Sequence, residues 1–185
     1  MFKPFLHRLQ MMQSKHTLRL IALCCALSMN VAQAKDDDFK KPITVDSKTH
    51  FVDGKRKTSI FRDDVHVQQG SLQIDADEVE VNASKGEGRE VFIARGEPAV
   101  YRQDMEDGST IKAVATEIRY EVSARTLTLS GEAELHQNSS MVRGESITFN
   151  LDKQQLLAEG QEGENGRVTT VFRPEAKPEN GEPEQ

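Results

Sequence analysis

Between residues 42 and 172 apolar and polar side chains alternate with a period of two, run after run. Ile43/Val45, Val65/Val67, Leu72/Ile74, Val79/Val81, Val91/Ile93, Ala99/Tyr101, Ile118/Tyr120/Val122, Leu127/Leu129, Ala133/Leu135 and Ile147/Phe149/Leu151 all follow it. That spacing puts every second side chain on one face of an extended chain, so each run reads as a strand with one buried and one wet face. Gly, Asp, Asn and Ser punctuate the runs, as at Val52-Asp53-Gly54, Asn82-Ala83-Ser84-Lys85-Gly86, Asp107-Gly108 and Glu162-Gly163. No window carries a helical stripe, and no strand–helix–strand unit is present. The pattern predicts an all-β, antiparallel fold of about fifteen short strands.

The runs repeat a phrase. An apolar run, then Gly or Asp followed by an acid, then a second run ending in Gln, is written as "SIFRDDVHVQ" at 59–68, "FIARGEPAVYRQ" at 92–103 and "LTLSGEAELHQ" at 127–137. After a turn comes a strand of the form apolar-x-[Ala/Gly]-x-x-apolar-x-apolar: Ile74 to Val81, Ala113 to Tyr120, Val142 to Phe149. The opening Ile43-Thr44-Val45-Asp46-Ser47 matches Leu72-Gln73-Ile74-Asp75-Ala76, and a half-copy sits at Leu157-Ala158-Glu159-Gly160. A period of about 30 residues points to a stacked, solenoid-like open sandwich. The small residue and the Gly/Asp-acid pair read as the place where a strand turns a corner, because backbone must pass close to backbone there. Pro98 adds a residue to the second copy, which indicates a bulge or an edge.

The ends differ. Lys15, His16 and Arg19 precede a 12-residue apolar stretch, Leu20 to Val31, and Ala32-Gln33-Ala34 forms a small-residue cleavage site. Residues 1–34 therefore read as a secretory signal peptide, with Met11 or Met12 as an alternative start. The stretch is well short of the roughly 20 apolar residues that span a bilayer. Residues 35–41 read as a solvated charged leader, 42–173 as the folded domain, and 174–185, rich in Pro, Glu and Gly, as a disordered acidic tail. Both cysteines, Cys24 and Cys25, fall in the signal, so the exported chain uses no disulfide. The signal also holds four of the 24 basic residues and none of the 30 acidic ones, which takes the net charge from −6 to −10. So acidic a chain is a poor partner for nucleic acid, whose phosphates need Lys and Arg.

No catalytic constellation is legible. His50, His66 and His136 are spaced apart, and the alternation points His66 and His136 away from the apolar face. Asp63-Asp64 recurs as Gly-Glu elsewhere, so it serves the corner and is no carboxylate pair. No metal, phosphate or dinucleotide motif is present. The expectation is a non-enzyme without cofactor or metal, whose chemistry lies in a one-sided apolar wall. That wall is either a packed core or a groove for a long apolar ligand.

The phrases "PITVDSKTH", "LQIDADEVEV", "GEPAVYRQ", "ATEIRYEVSARTLTLSGEAEL" and "RVTTVF", spread over about residues 42–173, resemble the OstA-like family. The resemblance implies a twisted β-jellyroll in the periplasm whose interior holds the lipid A acyl chains of lipopolysaccharide. It implies head-to-tail stacking of copies between inner-membrane LptC with its ABC transporter complex and the outer-membrane LptD–LptE translocon. Matched by motif, the family's lipid-contacting positions fall on Ile43, Tyr101, Tyr120 and Val122. Tyr101 stands where the family often has Phe, and its hydroxyl needs a partner. Alternation extends the expected wall to Val45, Val67, Ile74, Val79, Leu129, Leu135 and Phe149. The expected edges for stacking are Ile43, Val45 and Phe51 at one end and Ile147, Phe149 and Val171 at the other. A ligand-free structural β-solenoid, or another OstA-like component of the same pathway, is the competing reading.

Overall fold

A computed structural model describes residues 35–161, 163 and 166–173. The signal-peptide and tail readings lie outside the described residues. The strands are β1 (Thr44–Asp46), β2 (Thr49–Asp53), β3 (Thr58–Gln69), β4 (Leu72–Asn82), β5 (Val91–Asp104), β6 (Thr110–Glu121), β7 (Thr126–Gln137), β8 (Ser140–Asn150), β9 (Gln155–Glu159) and β10 (Thr169–Val171). All pairings are antiparallel, and neighbours along the chain are neighbours in the sheet from β3 to β8.

The expected all-β, antiparallel, open architecture is present, but the strand count is ten among the described residues rather than about fifteen. The difference arises because short runs join into single bent strands of 11 to 14 residues, β3, β5 and β7 through the Gly/Asp-acid phrase and β4, β6 and β8 through the small residue. The phrase is a β-bulge. Asp63-Asp64 on β3 and Gly131-Glu132 on β7 are the extra residues where the register shifts, each opposite a single partner residue. Asp63 (φ 64°), Asp64 (φ 58°), Gly131 (φ 77°) and Glu132 (φ 49°) all take the left-handed conformation that such a bulge needs. On β5 the bulge widens to Gly96-Glu97-Pro98, where the Glu97–Pro98 peptide is cis. The small residue of the companion strand sits beside each bulge: Ala76 opposite Val65, Ala115 opposite Ala99, Gly144 opposite Ala133. A side-chain carbon on Gly144 would lie 2.7 Å from the Glu159 carbonyl oxygen, so close backbone approach does fix that residue.

The bulges line up across the sheet and divide each long strand into two halves. One wall holds the halves near 58–62, 78–82, 91–95, 117–121, 126–130 and 146–150, flanked by β2 and β9. The other holds the halves near 65–69, 72–76, 99–104, 110–115, 133–137 and 140–144, flanked by β1 and β10. The walls fold over one another along the bulge line and share one core. Tyr101 of one wall meets Tyr120 of the other, ring centroids 6.5 Å apart. The outward face carries cross-strand ion pairs, among them Arg62–Glu78 at 2.6 Å and Arg95–Glu117 at 2.9 Å.

The charged leader is not simply solvated. Lys35–Lys40 forms a 3₁₀ helix, and Asp38 is buried. Asp38 accepts hydrogen bonds from the Ser71 amide (2.9 Å) and the Lys41 ammonium (2.7 Å), while Gln69 Nε2 donates to the carbonyls of Phe39 and Lys41. Phe39 packs on the core beneath the Arg125 guanidinium, 4.2 Å from its ring centroid. An acid run looks solvated in sequence because its partners, the turn at Gly70-Ser71 and the β6–β7 turn, are remote along the chain.

Candidate lipid-binding interior

Inward-facing side chains form rows that run across the strands. In the second wall Val45, Val67, Ile74, Tyr101, Ala113, Leu135 and Val142 stand opposite one another in succession. In the first wall one row joins Phe61, Val79, Ala94, Ile118, Leu129, Ile147 and Ala158, and another joins Val81, Phe92, Tyr120, Leu127, Phe149 and Leu156. Each row continues without a polar break from strand to strand because antiparallel partners share a face.

The wall residues named from sequence lie in or against this core. Val67, Ile74, Val79, Tyr101, Tyr120, Leu129, Leu135 and Phe149 are at most 3% exposed, and Ile43, Val45 and Val122 are partly buried against them. The interior in this structure is filled by its own side chains. Sequence reasoning left Ala94, Ala113 and Ala115 out of the wall and placed Ala99 and Ala133 in the alternation without naming them as wall residues; all five are at most 1% exposed. Alanine carries little hydropathic signal; its place in the alternation was the clue.

Polar groups inside are few. The Tyr101 hydroxyl donates to Gln103 Oε1, which supplies the partner that this residue needs in place of Phe. The Tyr120 hydroxyl and Gln69 Oε1 are buried without a partner among the described residues. Burial pushes Tyr101 well above the usual phenol range and Tyr120 up to about 12, so both stay neutral. His66 and His136 lie on the outer face as expected, paired with Asp75 (2.7 Å) and Glu134 (3.1 Å).

The two ends of the sheet expose large apolar side chains. At one end Phe51 and Val52 of β2 are 58% and 57% exposed; at the other, Leu157 of β9 and Phe172 beyond β10 are 60% and 77% exposed. Val45 and Phe51 are on the edge strands β1 and β2, with Ile43 just before β1, and Val171 is on the edge strand β10. Ile147 and Phe149 are a correction. They lie buried on β8, paired to β7 on one side and to β9 on the other, so that edge lies one strand further out. The short "QLLAE" run gave too little alternation to mark β9 as an edge strand of its own.

Comparison with known proteins places this geometry. The family described as "LptA/(LptD N-terminal domain) LPS transport protein" matches residues 44–155. The chain is 35% identical over 152 residues to the lipopolysaccharide export system protein LptA of Haemophilus influenzae, covering 80% of this chain and 86% of that protein. It is 32% identical over 163 residues to LptA of Escherichia coli K12, covering 87% of each. The crystal structure of LptH, the LptA-homologous periplasmic component of the lipopolysaccharide transport device of Pseudomonas aeruginosa, superposes with a TM-score of 0.68. It has 27% sequence identity and covers 75% of this chain and 99% of that one.

Proposed function

Because this chain belongs to the LptA/LptD N-terminal-domain family of lipopolysaccharide transport proteins, we propose that it carries lipopolysaccharide across the periplasm along its apolar interior. The observation that carries the reading is the set of apolar rows that cross the sheet, from β1 to β8 in one wall and from β3 or β4 to β9 in the other. A buried CH₂ is worth about 0.8 kcal/mol, so exposing one acyl chain of about a dozen carbons costs on the order of 9 kcal/mol. A lipid does not cross water at that cost. Moving along a continuous apolar row exchanges like for like. The chain therefore supplies a path, and the driving force comes from a partner.

Seating a lipid requires the two walls to part, since their side chains pack against one another. The six long strands β3 to β8 all cross from one wall to the other along the bulge line, which makes that line the hinge. Ile43, Val45, Val67, Ile74, Val79, Tyr101, Tyr120, Val122, Leu129, Leu135 and Phe149 then contact acyl chains. The acidic surface leaves anionic head groups outside. The N-terminal segment directs export and is removed, and the mature chain works in the periplasm.

The edges extend the path. Unpaired strand edges present free N–H and C=O groups, and unlike edges that join head to tail build an open filament. Joining β1 and β2 of one copy to β9 and β10 of the next would continue both walls and their rows. The same surfaces would meet the matching jellyrolls of LptC at the inner membrane and of the LptD–LptE translocon at the outer one.

The test is photocrosslinking. A photoreactive residue at position 101 or 120 is expected to form an adduct with lipopolysaccharide, and one at position 66 on the outer face is not. A folded protein that gives no adduct at 101 or 120 would leave the walls as a core, and the ligand-free polymer would replace this reading.

A further inference from the structure

A glutamine at or just after the close of each repeated phrase has no place in an apolar path. Gln69, Gln103 and Gln137 nevertheless recur at intervals of 34 residues and share one face. Gln69 pairs with Leu72, Gln103 with Ile111, and Ile111 with Gln137; the Gln73–Arg102 pair sets Leu72 beside Gln103. The result is a single row, Gln69, Leu72, Gln103, Ile111, Gln137, at the outermost inward-facing positions of the second wall. Strand spacing puts successive glutamines roughly 10 Å apart.

This row lies near the rim of the second wall, at the end of the strands away from the bulge line. Gln103 borders a cavity of about 110 Å³ between the turn at Asp104–Glu106 and the opposing turn at Leu151–Gln154, with Phe39 between them. Gln69 and Gln103 are only 4% and 3% exposed, and Gln137 is partly buried. Burying an amide is costly unless both its N–H and C=O groups find partners. Here one buried amide oxygen is left over. Gln137 Nε2 donates to Ser109 Oγ at 3.2 Å, Gln103 Oε1 accepts from Tyr101, and Gln69 Oε1 has no partner among the described residues. Gln69 Nε2 is taken by two main-chain carbonyls of the leader, those of Phe39 and Lys41 at 3.1 and 3.0 Å.

We propose that Gln69, Gln103 and Gln137 form a polar rail that hydrogen-bonds the ester and amide linkages joining acyl chains to the sugar of the carried amphiphile. The inference rests on the lipid-carrying reading and adds the part of the lipid that is recognised. Its chemistry follows from position. An amphiphile with its chains between the walls places its linkages at the boundary with water. Those linkages present C=O acceptors and N–H donors, and a neutral amide offers the complement of both. A charged residue there would resist burial, while Asn or Ser would turn back on its own backbone. The leader's carbonyls on Gln69 are amide carbonyls, the same chemistry the rail would meet in a lipid. Lipid entering at that end displaces Phe39 and Lys41, and a linkage then passes from one glutamine to the next.

The experiment compares two soluble probes of equal chain length below their micelle concentrations. One is an N-acyl glucosamine; the other is an ether-linked alkyl glucoside without the carbonyl. The wild-type chain is expected to prefer the acyl probe by roughly tenfold, the worth of one or two net hydrogen bonds. The double variant Gln69→Leu/Gln137→Leu is expected to lose that preference and still bind the alkyl probe. Gln137→Leu alone, which leaves the leader's attachment untouched and loses one bond to Ser109, is expected to lose part of it and to fold as the wild type does. Equal wild-type affinity for the two probes, or a preference that survives Gln137→Leu and the double variant, overturns the rail and leaves the lipid path standing. Failure of the wild type to bind either probe or lipopolysaccharide overturns the lipid reading, and the rail with it.

Discussion

Single polar groups decide how the interior behaves. The Tyr120 hydroxyl is buried without a partner among the described residues, and an unsatisfied buried hydroxyl costs about 1–3 kcal/mol. Tyr120→Phe is expected to hold or raise stability by up to ~1 kcal/mol in thermal unfolding; a loss of that size would mean the hydroxyl is bonded. Asp38 behaves oppositely. Burial disfavours its charge, but hydrogen bonds from Lys41 and Ser71 outweigh burial and hold its pKa at about 2 against an ordinary 3.8. A carboxyl lowered on folding stabilises fully above its ordinary value and loses that contribution as pH falls through the folded one. The leader's attachment is thus intact above about pH 4 and released toward pH 2. The Ser71 amide resonance should titrate with a midpoint near 2, and Asp38→Asn should abolish the step. A midpoint near 3.8 would mean that the contact does not form in solution.

At the scale of the element, the bulge makes the fold. A flat sheet of these strands would expose its apolar face, whereas a bulge at the same place in β3, β5 and β7 lets the face close on itself. Gly131 has a positive φ, and a side-chain carbon there would lie 2.0 Å from Thr116 Oγ1. Gly131→Ala is expected to cost about 1–3 kcal/mol in denaturant unfolding. Gly54, with open space around it, serves as the control: Gly54→Ala should stay within about 0.5 kcal/mol. Equal effects at the two sites would remove the bulge from this account. The leader is also an element with a task, since it spans the opening between the walls at Phe39 and Gln69.

At the scale of the molecule, the two exposed edges govern assembly. Phe51 on β2 and Leu157 on β9 are largely exposed and sit at opposite ends of the sheet. Phe51→Lys or Leu157→Glu should each reduce concentration-dependent association in sedimentation, with the melting temperature unchanged because neither side chain is in the core. Mixing the two variants should restore an interface that pairs β2 with β9. Association that persists in both would place the contact elsewhere. Taken alone, the sequence determined which face of each strand is apolar, where the strands bend and that three phrases repeat, because alternation and left-handed turn residues are local signals read within a few positions. Tertiary structure decided the rest. It joined short runs into long bent strands, since a bulge and a turn use the same Gly, Asp and acid. It set Tyr101 against Tyr120 and aligned Gln69, Gln103 and Gln137 in one row, because register is fixed by partner strands rather than by the run itself. It also buried Asp38, a residue whose local sequence is all charge and whose reason for burial is Ser71, 33 residues away.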